Sequence, residues 1–373
     1  SMNVSMQLLG RVSIIFGTLL VSMLNLIVFA DSSEMTELEK INAYGKIYLY
    51  SLIVPLISIS GIFLAYINKQ NKLKSLIKNG IAPIKAKGMI FISPELTKPN
   101  VLIIIGSIIF VLFTLFIGTS KIQFSQEIVF VGSFGIILLL LIKLSNELDT
   151  KAKRMLLGTA IIIFVFRAMP GVGQGGSWFE IDVLKFDQEF LSLLGLIASF
   201  LTIFGIFILR PLMEKSSMSR LIIILSVAGS IFILPSIAMY YGFHEYTSKL
   251  TGGMVDERFI AIFNTALESP LGQVSMIPIL AWIAQSAPSH LKATFFAILA
   301  SFTNLALSAS NLGTKYLNQI FVITREVKTE QGEIKIPADY SELGILLIIV
   351  CLLTLIVPII ITFVIKKLRL ISY

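Results

Sequence analysis

Ten apolar runs, each bounded by charged or turn-forming residues, divide the chain at about 8–30, 47–67, 100–119, 127–143, 155–175, 190–212, 220–242, 259–285, 293–318 and 343–365. A helix rises about 1.5 Å per residue, so roughly 18 or more apolar positions cross a hydrocarbon layer about 30 Å thick. Lipid offers no hydrogen bonds to the backbone, which leaves the α-helix as the conformation for runs of this length. The pattern predicts an all-α polytopic membrane protein. The first run exceeds the apolar stretch of about 7–15 residues in a secretory signal, so residues 8–30 are read as a span, with Arg11 near one end.

Composition agrees. Of 373 residues 55% are apolar and 14% charged, too little polar surface to coat a soluble globule of this size. When alternate connections are assigned to opposite sides, one face collects 18 of the 30 cations, among them the lysines at 69–98, Lys151, Lys153, Arg154, Arg210, Arg220, Lys366 and Lys367. The other face receives 9 cations and most of the acids. The cation bias makes the first face cytoplasmic and places both ends of the chain there. The net charge of +8 is then explained by topology and anionic lipid headgroups, and nucleic acid is not an expected partner.

Residues 1–67 read as the end of an N-terminal helical bundle and 68–99, with seven lysines against the single acid Glu95, as a basic cytoplasmic linker. Residues 100–150 read as a helical hairpin and 151–373 as a C-terminal six-helix bundle. The charged connection 321–342 has no hydrophobic period and is expected to be a solvated loop.

Once the connections are set aside, the cations left are Arg11, Arg167 and Lys315, and the one acid left is Glu268. A charge near mid-bilayer costs at least ~2.5–3.5 kcal/mol, so each of these should face protein or a wet cavity. Glu268 follows Asn264 at i+4, Gly272 continues that face, and Gln273 lies just beyond. Pro270 and Pro278 break the helix there, and such breaks expose carbonyls that line polar cavities. Two readings stand for Glu268: a group that binds a proton or a cation, or an interhelical anchor paired with Arg167 or Lys315. Arg167 precedes Pro170 and the glycine run Gly171 to Gly176, and an unwound end beside a guanidinium suits a carboxylate, although snorkelling explains it equally well. Asn304, Ser308 and Asn311 follow an i, i+4, i+7 stripe, with Lys315 one turn further on; the stripe either faces a solute or serves interhelical hydrogen bonding.

Enzymatic chemistry has no foothold. The single cysteine, Cys351, lies in an apolar run, and His244 and His290 both fall in connections, so no metal site or cofactor is expected. The glycine run at 171–176 ends an apolar helix and does not follow a strand, so it is not a nucleotide loop.

The stretch Glu268-Ser269-Pro270-Leu271-Gly272-Gln273 through Ile277-Pro278, then Leu291 to Ala297 (Leu-Lys-Ala-Thr-Phe-Phe-Ala) and Asn304 to Gly313, resembles the folate/biopterin transporter branch of the major facilitator superfamily. The resemblance is strongest over residues 155–320. It implies a two-bundle fold, a central cavity, alternating access, and secondary transport of a pterin, a folate or a related organic anion, with a proton as coupling ion. On that reading Arg167, Asn264, Gln273, Asn304, Ser308, Asn311 and Lys315 contact the substrate, and Glu268 couples protons or gates. The family usually has twelve or more spans, which implies that two or four N-terminal spans are missing; the Asp-rich early helices are absent, so coupling residues there have no counterpart. The alternatives are transport of an unrelated metabolite, or a membrane assembly protein on the same fold in which Glu268 and Arg167 form a closed pair.

Overall fold

The computed structural model describes residues 2–30, 35–90, 101–120, 122–146, 148–286, 292–328 and 333–370. The order of elements is α1 (Met2–Val28), α2 (Glu37–Ser51), α3 (Ile53–Lys78), α4 (Pro83–Ile90), α5 (Val101–Thr119), α6 (Ser125–Ser145), α7 (Thr150–Arg167), α8 (Gln174–Asp182) and α9 (Gln188–Ile208). There follow α10 (Arg210–Lys215), α11 (Met218–Tyr240), α12 (Phe243–Thr251), α13 (Glu257–Glu268), α14 (Met276–Ser286), α15 (Lys292–Ile320), β1 (Val327–Lys328), β2 (Ile334–Ile336) and α16 (Leu343–Lys367). His290 and Leu291 lie outside the described residues.

Local chemistry sets many of the helix starts. Asp149, Asp187 and Asp256 each accept the amide three residues on, from Ala152, Phe190 and Phe259, at 2.6, 2.7 and 2.8 Å. A cap of this kind stabilises a helix by about 1 kcal/mol over alanine. Thr36 and Glu39 form a reciprocal capping box at α2.

Seven stretches of described helix are long and apolar enough to cross a membrane: Ser5–Val28, Leu38–Lys78, Ser125–Ser145, Gln188–Ile208, Met218–Tyr240, Thr294–Ile320 and Leu343–Lys367. Ile104–Thr119 is a shorter apolar helix. The two remaining runs depart from simple spans for visible reasons. The run at 155–175 stops being helical at Arg167, where Pro170 and its glycine neighbours follow, and its helix carries Lys151, Lys153 and Arg154 in the first turn. The run at 259–285 is split into α13, a 3-10 turn at Ser269–Leu271 and α14. Pro270 lies inside that turn, whereas Pro278 is the third residue of α14, where its missing N–H has no intrahelical partner to lose. The break therefore belongs to Pro270, and Pro278 opens the helix after it.

α11 packs along α16, where the Ser230 hydroxyl donates to the Cys351 carbonyl at 3.3 Å and the Cys351 thiol to the Ser230 carbonyl at 3.4 Å. Ile162, Ile163, Ile222, Ile279, Ile283, Phe295 and Leu299 join α7, α11, α14 and α15 in one core. α1 lies against α9 and α14, and the α5–α6 hairpin lies against α15. α3 exposes Ile53, Leu56, Ile59, Ile62 and Phe63, as a lipid-facing helix would.

Two connections hold more structure than the sequence pattern predicts. The basic segment from residue 68 continues α3 to Lys78 and then forms α4. The connection at 321–342, expected as a solvated loop, folds into an antiparallel β1–β2 hairpin closed by mutual amide–carbonyl bonds between Thr324 and Asp339, at 3.0 and 2.9 Å. Its strands are exposed, so pairing them meets backbone needs that neither helix nor core supplies.

Candidate functional site

α15 carries two adjoining rows of polar residues. Ser310, Thr314 and Asn318, at i, i+4 and i+8, grip the unwound segment after α7: the Ser310 hydroxyl donates to the Met169 carbonyl (2.6 Å), the Gly171 amide donates to Thr314 Oγ1 (2.9 Å), and Asn318 Nδ2 donates to the Val172 carbonyl (3.1 Å). Gly173 has φ of +79°, a left-handed conformation suited to glycine, and an added Cβ would meet Asn318 Nδ2 at 2.8 Å. Backbone groups of the unwound segment are thus met by one neighbouring helix.

α15 also lines a cavity of 1220 Å³, walled by α5, α6, α15 and the start of α8, and Thr314 and Asn318 reach its edge beside Gly173. Asn304, Ser308, Asn311 and Lys315 all line it, so the structure brings the four stripe residues together. Opposite them, Glu127 in the first turn of α6 accepts from Lys315 Nζ at 2.7 Å and from the Tyr316 hydroxyl at 2.9 Å through Oε1. Its Oε2 is buried and has no partner among the described residues. The residue pattern gives Glu127 to the external connection, because it stands at the boundary of an apolar run. Its spacing to Phe130, one turn further along the same helical face and also in the cavity lining, is the signal that places it in the wall.

The remaining candidates lie elsewhere. Arg167 ends α7, where Nη1 meets the Met276 sulfur at 3.2 Å and Nε is buried without a partner among the described residues. Gln273, one turn before Met276, buries an Oε1 that has no partner among the described residues. Asn264 faces α11, with Nδ2 donating to the Phe232 carbonyl at 3.2 Å. Glu268, the last residue of α13, is exposed and has no ion-pair partner among the described residues. The anchoring pairs Glu268–Arg167 and Glu268–Lys315 are not formed: Lys315 is taken by Glu127, and Arg167 rests on Met276.

The break beside Glu268 is held from α9. Thr202 Oγ1 donates to the Ser269 carbonyl at 2.9 Å, and the Ser269 hydroxyl donates to the Thr265 carbonyl. Gly205 lets α9 approach the Pro270 backbone so closely that a Cβ there would overlap Pro270 Cα and its carbonyl.

Outside the spans, Asp182 at the end of α8 accepts from Arg325 Nε and Nη2, at 2.8 and 2.7 Å, and from the Tyr340 hydroxyl at 2.7 Å. The Arg325 guanidinium holds the Asp182 carboxyl below the usual range. Burial, with the bond to Asp182 second, pushes the Tyr340 phenol up to about 12. The hairpin is thereby fastened to α8, whose Glu180 lines a second cavity of 190 Å³ that shares Gly173 with the large one. Burial raises the Glu180 carboxyl.

Long apolar helices, two of them interrupted at proline, around a polar-walled cavity define an all-α, multi-pass integral membrane protein. Residues 5–372 match the model of the BT1 family, and the chain belongs to that family. It is similar to a protein of Synechocystis sp. (strain ATCC 27184 / PCC 6803 / Kazusa) named "Folate-biopterin transporter", at 23% identity over 156 residues. That match covers 42% of this chain and spans 30% of the relative's length. No solved structure matches.

Proposed function

We propose that the chain serves a secondary active transporter that carries a pterin, a folate or a related organic anion across the cytoplasmic membrane by alternating access, coupled to protons. The observation that carries this reading is the α15 stripe: Asn304, Ser308, Asn311 and Lys315 line one wall of a cavity of 1220 Å³, at the upper end of or above the usual range for small-molecule sites. Three amide or hydroxyl groups beside a cation suit a flat heterocycle that carries an acidic group.

In this account Asn304, Ser308 and Asn311 hydrogen-bond the ring, and Lys315 exchanges Glu127 for the substrate's anionic group. Arg167 and Gln273 contribute buried polar atoms that lack partners in the structure, which supports a ligand-binding role for them. Asn264 orders α13 against α11 beside the same break. Glu268, without a counterion, is free to take and release a proton. The folate and biopterin named for the Synechocystis relative suggest the class of cargo.

The test is uptake of labelled folate and biopterin by transporter-deficient cells expressing the complete gene, with and without a proton gradient, beside Glu268→Gln. Gradient-driven uptake that the substitution abolishes is expected. A well-expressed protein that takes up neither compound contradicts the cargo, and full gradient dependence in Glu268→Gln contradicts the coupling role.

A further inference from the structure

α1 places Leu8, Arg11 and Ile15 on one face, at i, i+3 and i+7. Leu8 and Ile15 are buried in the core that also takes in Val274 and Ile277, with Val12 and Phe166 packed against it. Arg11 is therefore held between two buried neighbours and turned toward protein. Phe166 precedes Arg167, Val274 lies within the Gln273–Met276 turn and Ile277 follows it, so Arg11 and Arg167 both sit at the junction where α1, the end of α7 and the start of α14 share a core. Arg11 is the charge that Arg167 feels, and it has the same sign. Among the described residues neither arginine has a carboxylate partner, Arg167 Nε has no acceptor, and the Gln273 Oε1 one turn from Met276 has no donor.

Two partly buried like charges at one helix junction, with the Arg167 Nε donor left over, lack an anion. We infer that Arg11 and Arg167 together bind the carboxylate group of an anionic solute, with the Gln273 carbonyl oxygen available to accept from a guanidinium at the same junction. This rests on the transport reading and deepens it: the site lies apart from the wall of Asn304, Ser308, Asn311 and Lys315, and its ligand chemistry is a carboxylate whatever ring the solute carries. A guanidinium offers a planar pair of donors that matches a carboxylate fork, and two arginines let both oxygens be met.

The test uses the full chain purified into lipid nanodiscs, with p-aminobenzoylglutamate, citrate and glutamate as probes and biopterin, which has no carboxylate, in parallel. Thermal protection and equilibrium binding are read for the wild type, Arg11→Gln, Arg167→Gln and Arg167→Lys. At least one carboxylate is expected to saturate the wild type, and each glutamine variant should bind it about tenfold or more weakly, with Arg167→Lys between. Ligand-free Tm in both glutamine variants should equal or exceed that of the wild type, because a repulsion is relieved. The inference is overturned if no carboxylate saturates the wild type, if the glutamine variants bind as tightly as it does, or if both lose ligand-free Tm as members of a closed ion pair do. Biopterin decides separately: failure to bind biopterin with carboxylate binding intact removes the pterin cargo and leaves the arginine site standing.

Discussion

Lys315 Nζ lies 2.7 Å from Glu127 Oε1 and so joins α15 to α6 across the cavity wall. One carboxylate oxygen is used by Lys315 and Tyr316, and the other is buried and unpartnered. Removing the lysine leaves an acid with a lost counterion, and removing the acid leaves a cation in the wall. Lys315→Gln and Glu127→Gln should each lower Tm, and the double variant should recover most of the loss, a coupling that a double-mutant cycle measures. Additive losses would show that the contact carries no energy.

Gly205 is the contact point between α9 and the break at Pro270. Gly205→Ala places a methyl group against backbone rather than against a flexible side chain, so the helices have to separate. Overpacking of this kind typically costs 1–3 kcal/mol. A lowered midpoint of thermal unfolding is expected, with uptake falling in step, because the turn that presents Glu268 moves with Pro270. Wild-type stability in Gly205→Ala would mean that the α9 approach is looser than described.

Asn318 ties α15 to the Val172 carbonyl, and Gly173 beside it has no room for a side chain. Asn318→Leu keeps the bulk and removes the donor. Leaving a buried acceptor unmet costs about 1–3 kcal/mol locally. Hydrogen exchange at residues 168–173 should accelerate while exchange in α11 and α16 stays at the wild-type rate. Unchanged exchange in the segment would show that another group holds it.

The apolar runs gave the helices because a membrane demands long uncharged stretches, a property local to the chain. The stripe of α15 was legible for a similar reason, since Asn304, Ser308 and Asn311 recur at helical spacing. What sets the partner of Lys315 is not local: Glu127 is 188 positions away and stands at the edge of its own run. The unwound turn at 168–173 was signalled by Pro170 and the glycines, but its hold on Ser310, Thr314 and Asn318 depends on which helix lies alongside. Arg11 likewise looked like a residue near the end of its span, and its place between the buried Leu8 and Ile15 comes from the docking of α1 on α9 and α14.

Asp182 and Arg325 fasten the hairpin to α8, and the sign of the pH response follows from the carboxyl's lowered pKa. The folded state holds Asp182 below its unfolded value, so the contribution is present above the ordinary aspartate range near 4 and is lost as pH falls through the depressed value. Tyr340 acts in the opposite sense: with its phenol raised to about 12, its bond to Asp182 persists well into the alkaline range and is lost as pH rises through that value. Amide protection at Thr324 and Asp339 should therefore hold from about pH 5 upward through neutrality and fall at lower pH. Asp182→Asn should show weakened protection at neutral pH and little further change on acidification. A hairpin equally protected in Asp182→Asn would assign its stability to the strand pairing alone.

The central claim is that the α15 stripe faces the path of the solute. The chain's single cysteine makes a direct measurement available: in a Cys351→Ser background, Asn311→Cys is labelled with a membrane-impermeant maleimide in sealed vesicles, with and without folate or biopterin. The account predicts labelling that either compound slows with saturable dependence on concentration, whereas the cysteine-free background stays unlabelled. Labelling of Asn311→Cys at one rate regardless of both compounds, in vesicles that still accumulate them, would contradict the placement of the pathway along α15.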